Sequence, residues 1–276
     1  MVIRALTASD FDALFAAFTE AFSDYVVPLS PTREQLLEMF TRRGWTPEAS
    51  VGAFDDDHLV AFTINCIEDS RAYDTGTGVV PTHRRLGLAR DLMRASYPLL
   101  RAHGCTEYVL EVLEGNVRAR ALYVAEGFVV VRGLQSWRYE SPGLLVSESP
   151  GSNIDNSVSP MRPGDYETRR LWCDLLPSWQ NTPASIARAT DPHVVLGDDD
   201  GYVVVFPGNG DVPELAVRRE ARRRGVGTRL LRAAAAAAGK PLRIMNVDER
   251  DAGIAAFLET AGAVRFVRQL EMVRPL

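Results

Sequence analysis

The sequence predicts a mixed α/β protein made of two similar halves, and three observations carry that reading. Short apolar runs of strand length alternate along the chain with segments whose apolar residues recur every three to four positions. The segment Arg84-Arg85-Leu86-Gly87-Leu88-Ala89 is echoed by Arg222-Arg223-Arg224-Gly225-Val226-Gly227, and Glu126-Gly127-Phe128 is echoed by Ala261-Gly262-Ala263. The offset is 138 between Gly87 and Gly225 and 135 between Gly127 and Gly262, a constancy that points to a duplicated domain. Between the halves lies SPGLLVSESPGSNIDNSVSP, residues 141–160, rich in Ser, Pro, Gly and Asn, which reads as an exposed linker. The expected organisation is a domain at 1–140, a linker at 141–159 and a second domain at 160–276.

In the first half, residues 2–5 read as a strand, and 10–22 and 33–42 as helices by their apolar spacing. Residues 51–54 turn at Asp55-Asp56-Asp57 into a hairpin partner at 59–67, and 71–80 forms the next strand. From Leu88 the apolar positions Leu92, Ala95 and Leu99 step by three and four, giving a helix that Pro98 is expected to kink or shorten. A strand at 108–112, a short helix at 118–126 and two closing strands at 128–132 and 135–139 complete the half. The second half repeats this with a shorter front: strands near 193–197, 202–206 and 213–217, then a helix at 228–238. A strand at 242–247, a helix at 253–261 and a last strand region at 264–272 follow.

Composition narrows the function. With 276 residues, 46% hydrophobic and 24% charged, the chain has material for a sizeable core, which excludes disorder as its main character. No apolar run approaches the ~18 residues of a membrane span. The start, MVIRALTASD, is polar and acidic where a signal peptide would be apolar. Cys66, Cys105 and Cys173 show no C-x-x-C spacing, so no metal site is expected, and a reduced, cytoplasmic compartment fits. A net charge of -5 argues against a general nucleic-acid binder, despite the run Arg218, Arg219, Arg222, Arg223, Arg224, Arg229 and Arg232. Lys240 is the only lysine among 31 basic residues. With the alanine abundance this reads as codon bias in a GC-rich bacterial genome, and it lowers the information in any single arginine.

The chemistry is expected where strand passes into helix at Pro81-Thr82-His83-Arg84-Arg85-Leu86-Gly87-Leu88-Ala89. A helix N-terminus presents unpaired amides and partial positive charge, and so favours a phosphate. Gly87 and the small Ala89 let a backbone approach an anion closely. The Gly-Lys-Ser/Thr ending of a nucleotide P-loop is absent.

At this junction the sequence resembles the GNAT superfamily of acetyl-CoA-dependent N-acyltransferases, whose signature is Gln/Arg-x-x-Gly-x-Gly/Ala. Arg84, Gly87 and Ala89 match it, and so do Arg222, Gly225 and Gly227. A second block, Asn116-x-x-Ala119-x-Ala121-Leu122-Tyr123-x-x-x-Gly127-Phe128, is similar to the family's Asn…Ala…Tyr…Gly-Phe element. The resemblance covers nearly all of the first half and the back two-thirds of the second. It implies two GNAT-fold domains, each a mostly antiparallel central sheet with a V-shaped splay, flanked by helices.

The resemblance also implies roles. Gly78, Val79 and Val80 would carry the family's bulge and offer backbone groups to the pantetheine arm. Amides from Arg85 through Leu86, Gly87, Leu88 and Ala89 to Arg90, with Arg84 beside them, would hold the pyrophosphate. A backbone N–H near Val80 would polarise the thioester carbonyl. Tyr123 would protonate the departing thiolate, and Asn116 would support either the cofactor or the start of its helix. Glu111, Asp74 and Glu114 compete as the group that takes the amine's proton, with Glu68 a poorer choice. The loop Phe22-Ser23-Asp24-Tyr25-Val26-Val27-Pro28 would line the acceptor pocket. Competing readings are a plain core tyrosine at 123, solvated helix-end arginines, and an exposed turn histidine at 83.

Counting back four from Gly262, as Tyr123 stands four before Gly127, lands on Leu258, which donates no proton. The expectation is a catalytic first half and a degenerate second half, which would still bind CoA through Val217, Arg222, Arg224, Gly225, Val226 and Gly227. The implied activity is acetyl transfer from acetyl-CoA to a small-molecule or peptide amine, with no nucleic acid or membrane partner. A non-catalytic acyl-CoA-binding or interaction module is the alternative.

Overall fold

The computed structural model describes residues 1–24, 30–141, 158–162, 165 and 167–276. Most of the expected linker, and residues 25–28 of the expected acceptor loop, lie outside the described residues. The chain forms two compact units. Unit 1 comprises Met1–Val131, Ala187–Thr190 and Leu270–Leu276, and unit 2 comprises Arg132–Ile186 and Asp191–Gln269.

Unit 1 opens with β1 (Val2–Ala5), paired antiparallel with β2 (Val51–Asp55). Between them, α1 (Phe11–Ala21) turns Phe11, Leu14, Ala17, Phe18 and Ala21 inward, the three-to-four spacing of a one-sided helix. A reciprocal capping box between Thr32 and Gln35 starts α2 (Arg33–Arg43), and Gly44 ends it in the left-handed region at φ 85°. β2, β3 (His58–Glu68) and β4 (Arg71–Val79) form an antiparallel meander. β4 then runs parallel to β5 (Glu107–Leu113), across a connection that contains α3 (Leu88–Ala102). The helix α4 (Val117–Ala125) follows.

Helix α3 continues through Pro98 to Ala102, so the expected shortening does not occur. The two closing strands expected at 128–132 and 135–139 are one strand, β6 (Val129–Tyr139). Gly133, between the two expected strands, is a site of close approach in unit 2: a Cβ there would lie 2.0 Å from Glu249 Oε2.

Unit 2 contains β7 (Ser159–Pro160), α5 (Pro183–Arg188, whose last two residues belong to unit 1), β8 (Val194–Asp198), β9 (Gly201–Phe206) and β10 (Asp211–Val217). The helix α6 (Val226–Ala238), β11 (Leu242–Asp248) and α7 (Ala252–Thr260) complete the repeat, and β12 (Val264–Pro275) closes the chain. Among the described residues, its front carries short 3₁₀ turns at Thr168–Trp172 and Trp179–Asn181, which the sequence did not suggest. Within unit 2 the strand order is β6-β11-β10-β9-β8-β7, with β10 and β11 parallel.

The units do not follow chain order. Residues 132–139 of β6 pair with β11 inside unit 2, where Trp137 and Tyr139 join a core with Leu230, Leu231 and Leu258. The end of β12 belongs to unit 1, where Leu270 and Met272 pack with Tyr97, Tyr108, Tyr123 and Phe128. Met272 is fully buried, so Met272→Ala is expected to destabilise unit 1 by about 2–5 kcal/mol. A thermal melt checks this; an unchanged midpoint would show that the terminal strand contributes no core.

Candidate functional site

The register of β4 on β5 ends early. Arg71 through Asp74 pair with Glu107 through Leu110, while residues 76–79 pair only with β3. The strands therefore part and leave one edge of β4 open. The β3–β4 register shifts at Thr75, because Asp74 folds its carboxylate back onto its own strand. Its Oδ1 accepts from Gly76 N at 2.9 Å and its Oδ2 from Thr77 Oγ1 at 2.7 Å.

The bulge thus lies at Thr75 and not at Gly78–Val80 as expected. Gly78 is a glycine for packing, since a Cβ would sit 2.4 Å from the Phe62 ring. Val80 is not the amide that faces the opening either: its N–H donates to Val60 O at 2.9 Å. Alternation in an antiparallel ladder then turns the N–H of Val79 away from β3, into the splay.

After β4 the chain makes the turn toward α3. Arg85 lies at φ 67° and Gly87, the N-cap, at φ 84°. Among the described residues, the amides of Arg85, Leu86, Gly87, Leu88 and Ala89 donate to no backbone acceptor. Five convergent donors at a helix N-terminus suit a diphosphate. Arg85 and Leu86 are exposed beside them. Arg90 contributes less than expected: its amide returns to Gly87 O, and its Nε pairs with Glu126, which also takes both forks of Arg94. Arg84 is committed to protein acceptors, Val79 O, Ala21 O and Asp24.

The candidate acid–base groups fall on two faces of the splay. Tyr123 lies in the cluster with Tyr108, Leu110, Val112 and α3, its ring 5.9 Å from that of Phe128. Glu111 alternates with Leu110 and Val112 on β5 and so projects to the opposite face. There its charge is the second cause, after burial, that lifts the Tyr73 hydroxyl, while Arg43 acts in the opposite sense and reaches Thr75 Oγ1 at 2.6 Å. Asn116 serves the helix start, accepting from Ala119 N at 3.2 Å. Glu114 is exposed just past β5, and Glu68 is held by Arg188 at 3.0 Å.

Asp74 shares the Tyr123 face, through Thr77 and its pairing partner Asn65, whose Oδ1 accepts from Tyr108. Burial pushes its carboxyl up to about 6, against the lowering effect of its two hydrogen bonds. The folded-state value lies above the ordinary 3.8, so this group's stabilisation is full below about pH 4 and is lost as pH rises through 6. Asp74→Asn is expected to flatten the dependence of stability on pH between about 4 and 7, by on the order of 2–3 kcal/mol. Melting temperature against pH is the measurement, and an unchanged slope would place the linkage elsewhere.

Unit 2 repeats the frame closely. β10 pairs with β11 only at Asp211↔Arg243, and Arg218 N donates to Asp200 O, which leaves Val217 N–H facing the opening. Arg223 lies at φ 63° and Gly225 at φ 82°, and the amides of residues 223–227 again meet no backbone acceptor among the described residues. Arg222 donates to Val217 O, Trp172 O and Asp174. Arg224 is exposed at the turn. Gly227 has a packing reason, because a Cβ would lie 3.2 Å from the Phe257 ring.

The candidate acid–base positions are not repeated. Phe128 N donates to Tyr123 O at 3.0 Å, and Ala263 N donates to Leu258 O at 2.9 Å, so Leu258 stands where Tyr123 does. Tyr73 pairs with Val109 and its counterpart Asp211 with Arg243, so two residues further on Met245 stands where unit 1 has Glu111, a difference that sequence reasoning passed over. Unit 2 also fills its own sheet face, with Trp172 against Tyr202, and Arg170 and Tyr202 on Glu214. In unit 1 the position equivalent to Glu214 is Gly76, where a Cβ would meet nothing nearer than Phe18 at 3.9 Å. Among the described residues no cluster suits a metal ion, and no helix is long and apolar enough to cross a membrane.

Solved structures with this fold include proteins named as acetyltransferases. The chain covers 99% of itself and 95% of a GCN5-related N-acetyltransferase from Sphaerobacter thermophilus, with TM-score 0.73 and 16% identity. A putative acetyltransferase from Pyrococcus horikoshii matches at TM-score 0.71 and 15% identity, over 100% of this chain and 89% of that one. A tandem GNAT protein from the clavulanic acid biosynthesis pathway matches at TM-score 0.65 and 17% identity, over 99% and 98%. No curated protein sequence matches this one. Residues 11–128 and 158–262 each match the acetyltransferase (GNAT) family model, one segment for each copy of the phosphate turn, and the chain belongs to that family as a tandem protein.

Proposed function

We propose that this protein transfers the acetyl group of acetyl-CoA to an amine, and that unit 1 does the chemistry. The observation that carries the reading is the contrast between the units. Both keep the five-amide turn and the inward-facing strand amide, but only unit 1 pairs them with Tyr123 and Glu111; unit 2 has Leu258 and Met245. The turn fits the diphosphate of CoA in donor number and in the room Gly87 leaves, since the only heavy atom near its absent Cβ is Asp91 Oδ2 at 4.0 Å.

When bound, the thioester supplies an activated carbonyl carbon. The Val79 N–H receives the charge that builds on the carbonyl oxygen as the amine nitrogen bonds to that carbon. Tyr123 gives its proton to the sulfur as the C–S bond breaks. Glu111, on the other face, takes the proton released by the amine, so that an amide and free CoA leave. The domains at 1–140 and 160–276 are the evolutionary repeats in this reading, and the folding units differ from them by exchange of the closing strands.

Free-thiol release from acetyl-CoA across a panel of amines tests the proposal. Release that depends on an amine supports it. Saturable acetyl-CoA binding without thiol release for any amine would favour a non-catalytic binding module.

A further inference from the structure

The motif arginine is the residue of the phosphate turn most readily assigned to a phosphate, yet its guanidinium is occupied in both units by the same kinds of protein acceptor. In unit 1, Arg84 Nε donates to Val79 O at 3.2 Å, Nη2 to Ala21 O at 3.0 Å, and Nη1 and Nη2 reach the two oxygens of Asp24 at 2.6 and 2.7 Å. In unit 2, Arg222 Nε donates to Val217 O at 3.0 Å, Nη2 to Trp172 O at 3.0 Å and Nη1 to Asp174 at 2.5 Å. The flanking backbone agrees as well, with Arg84 at φ −68°, ψ 158° and Arg222 at φ −62°, ψ 154°.

The scaffolds that supply these acceptors differ. Ala21 ends an α-helix of 11 residues, whereas Trp172 ends a 3₁₀ turn of 5. The helix geometry that ends at the carbonyl differs between the copies and the contact has stayed. A planar five-donor fork is the one side chain that can join a strand-end carbonyl, a helix-end carbonyl and a carboxylate at once. Val79 matters most among these acceptors, since its N–H is the group directed into the splay.

We propose that Arg84 is a positioning residue, a clamp that ties the phosphate turn and the end of β4 to the end of α1 through Asp24 and touches no cofactor itself. The turn amides and the Val79 N–H are then held at a fixed separation before the ligand arrives, and less ordering remains for binding to supply. This rests on the acetyl-CoA reading above, so the test includes one measurement without ligand.

Arg84→Lys keeps the charge and loses the fork, and Asp24→Asn keeps the size and loses the charge. Each is expected to raise the acetyl-CoA dissociation constant about tenfold, measured by calorimetry well below the melting temperature. The double variant is expected to be no weaker than the weaker single, because both changes break one contact. Single variants within twofold of wild type would overturn the clamp; so would a double variant whose losses multiply, which would put Arg84 on the ligand. A lowered melting temperature with unchanged affinity would make the contact structural only and would also overturn it. If wild type binds no acetyl-CoA, the functional reading falls. Hydrogen exchange at the Phe22 and Ser23 amides of the free protein then decides the clamp: faster exchange in Arg84→Lys supports it, and equal exchange overturns it.

Discussion

Tyr123→Phe is expected to lower turnover by about 10²–10⁴-fold while leaving acetyl-CoA affinity nearly intact. The hydroxyl is needed when the thiolate departs, so its loss falls on the transition state and spares ground-state binding. Stability should change little, because the ring stays in place against Phe128 and within the cluster that holds Met272. Turnover of the variant on one acceptor, with melting temperature as control, is the measurement. Leu258→Ala in unit 2 is expected to behave in the opposite way: it empties a fully buried site, so folding suffers more than turnover. Should Tyr123→Phe stay near wild type while Gly225→Glu abolishes activity, the catalytic unit would be the second.

Gly87→Glu combined with Gly225→Glu is expected to abolish acetyl-CoA binding. Each glycine is the N-cap of its helix in the left-handed region, at φ 84° and 82°, where a residue with a Cβ is strained by about 1–2 kcal/mol. The space around both is open, so strain alone leaves the fold intact. The added carboxylate does the damage by setting a negative charge among the amides that would meet a diphosphate. Gly87→Ala with Gly225→Ala carries the strain without the charge and separates the two effects. Calorimetry on both pairs checks this, and unchanged affinity in the glutamate pair would remove the phosphate-turn assignment from both units.

Much of this architecture was legible because it is local. The spacing of Phe11, Leu14 and Phe18 marks a helix without reference to anything outside it. Gly87 and Gly225 announce a left-handed turn by residue type, and the count from Gly262 to Leu258 holds because the same capping hydrogen bond closes both short helices. Where local signals misled, a distant partner had intervened. The two closing strands expected at 128–132 and 135–139 are one, and at Gly133 between them the missing side chain makes room for Glu249. Met245 as the counterpart of Glu111 was not available from the offset of 135, because strand register and not residue count sets that equivalence.

The sequence by itself determined that there are two copies of one α/β unit, where their elements lie, and that only the first has a tyrosine four residues before its later motif glycine, where the second has Leu258. Those properties follow from residue type, periodicity and offset, which neighbouring positions encode. Only the tertiary structure decided that the bulge falls at Thr75, that Val79 and not Val80 turns its amide into the splay, and that Tyr123 and Glu111 lie on opposite faces. It also decided that Arg84 is bound to Asp24, 60 residues away, and that the end of β12 completes the core of unit 1. The reason is physical: which face a side chain takes and which amide stays open are set by strand register, and register is fixed by pairing partners remote in the chain.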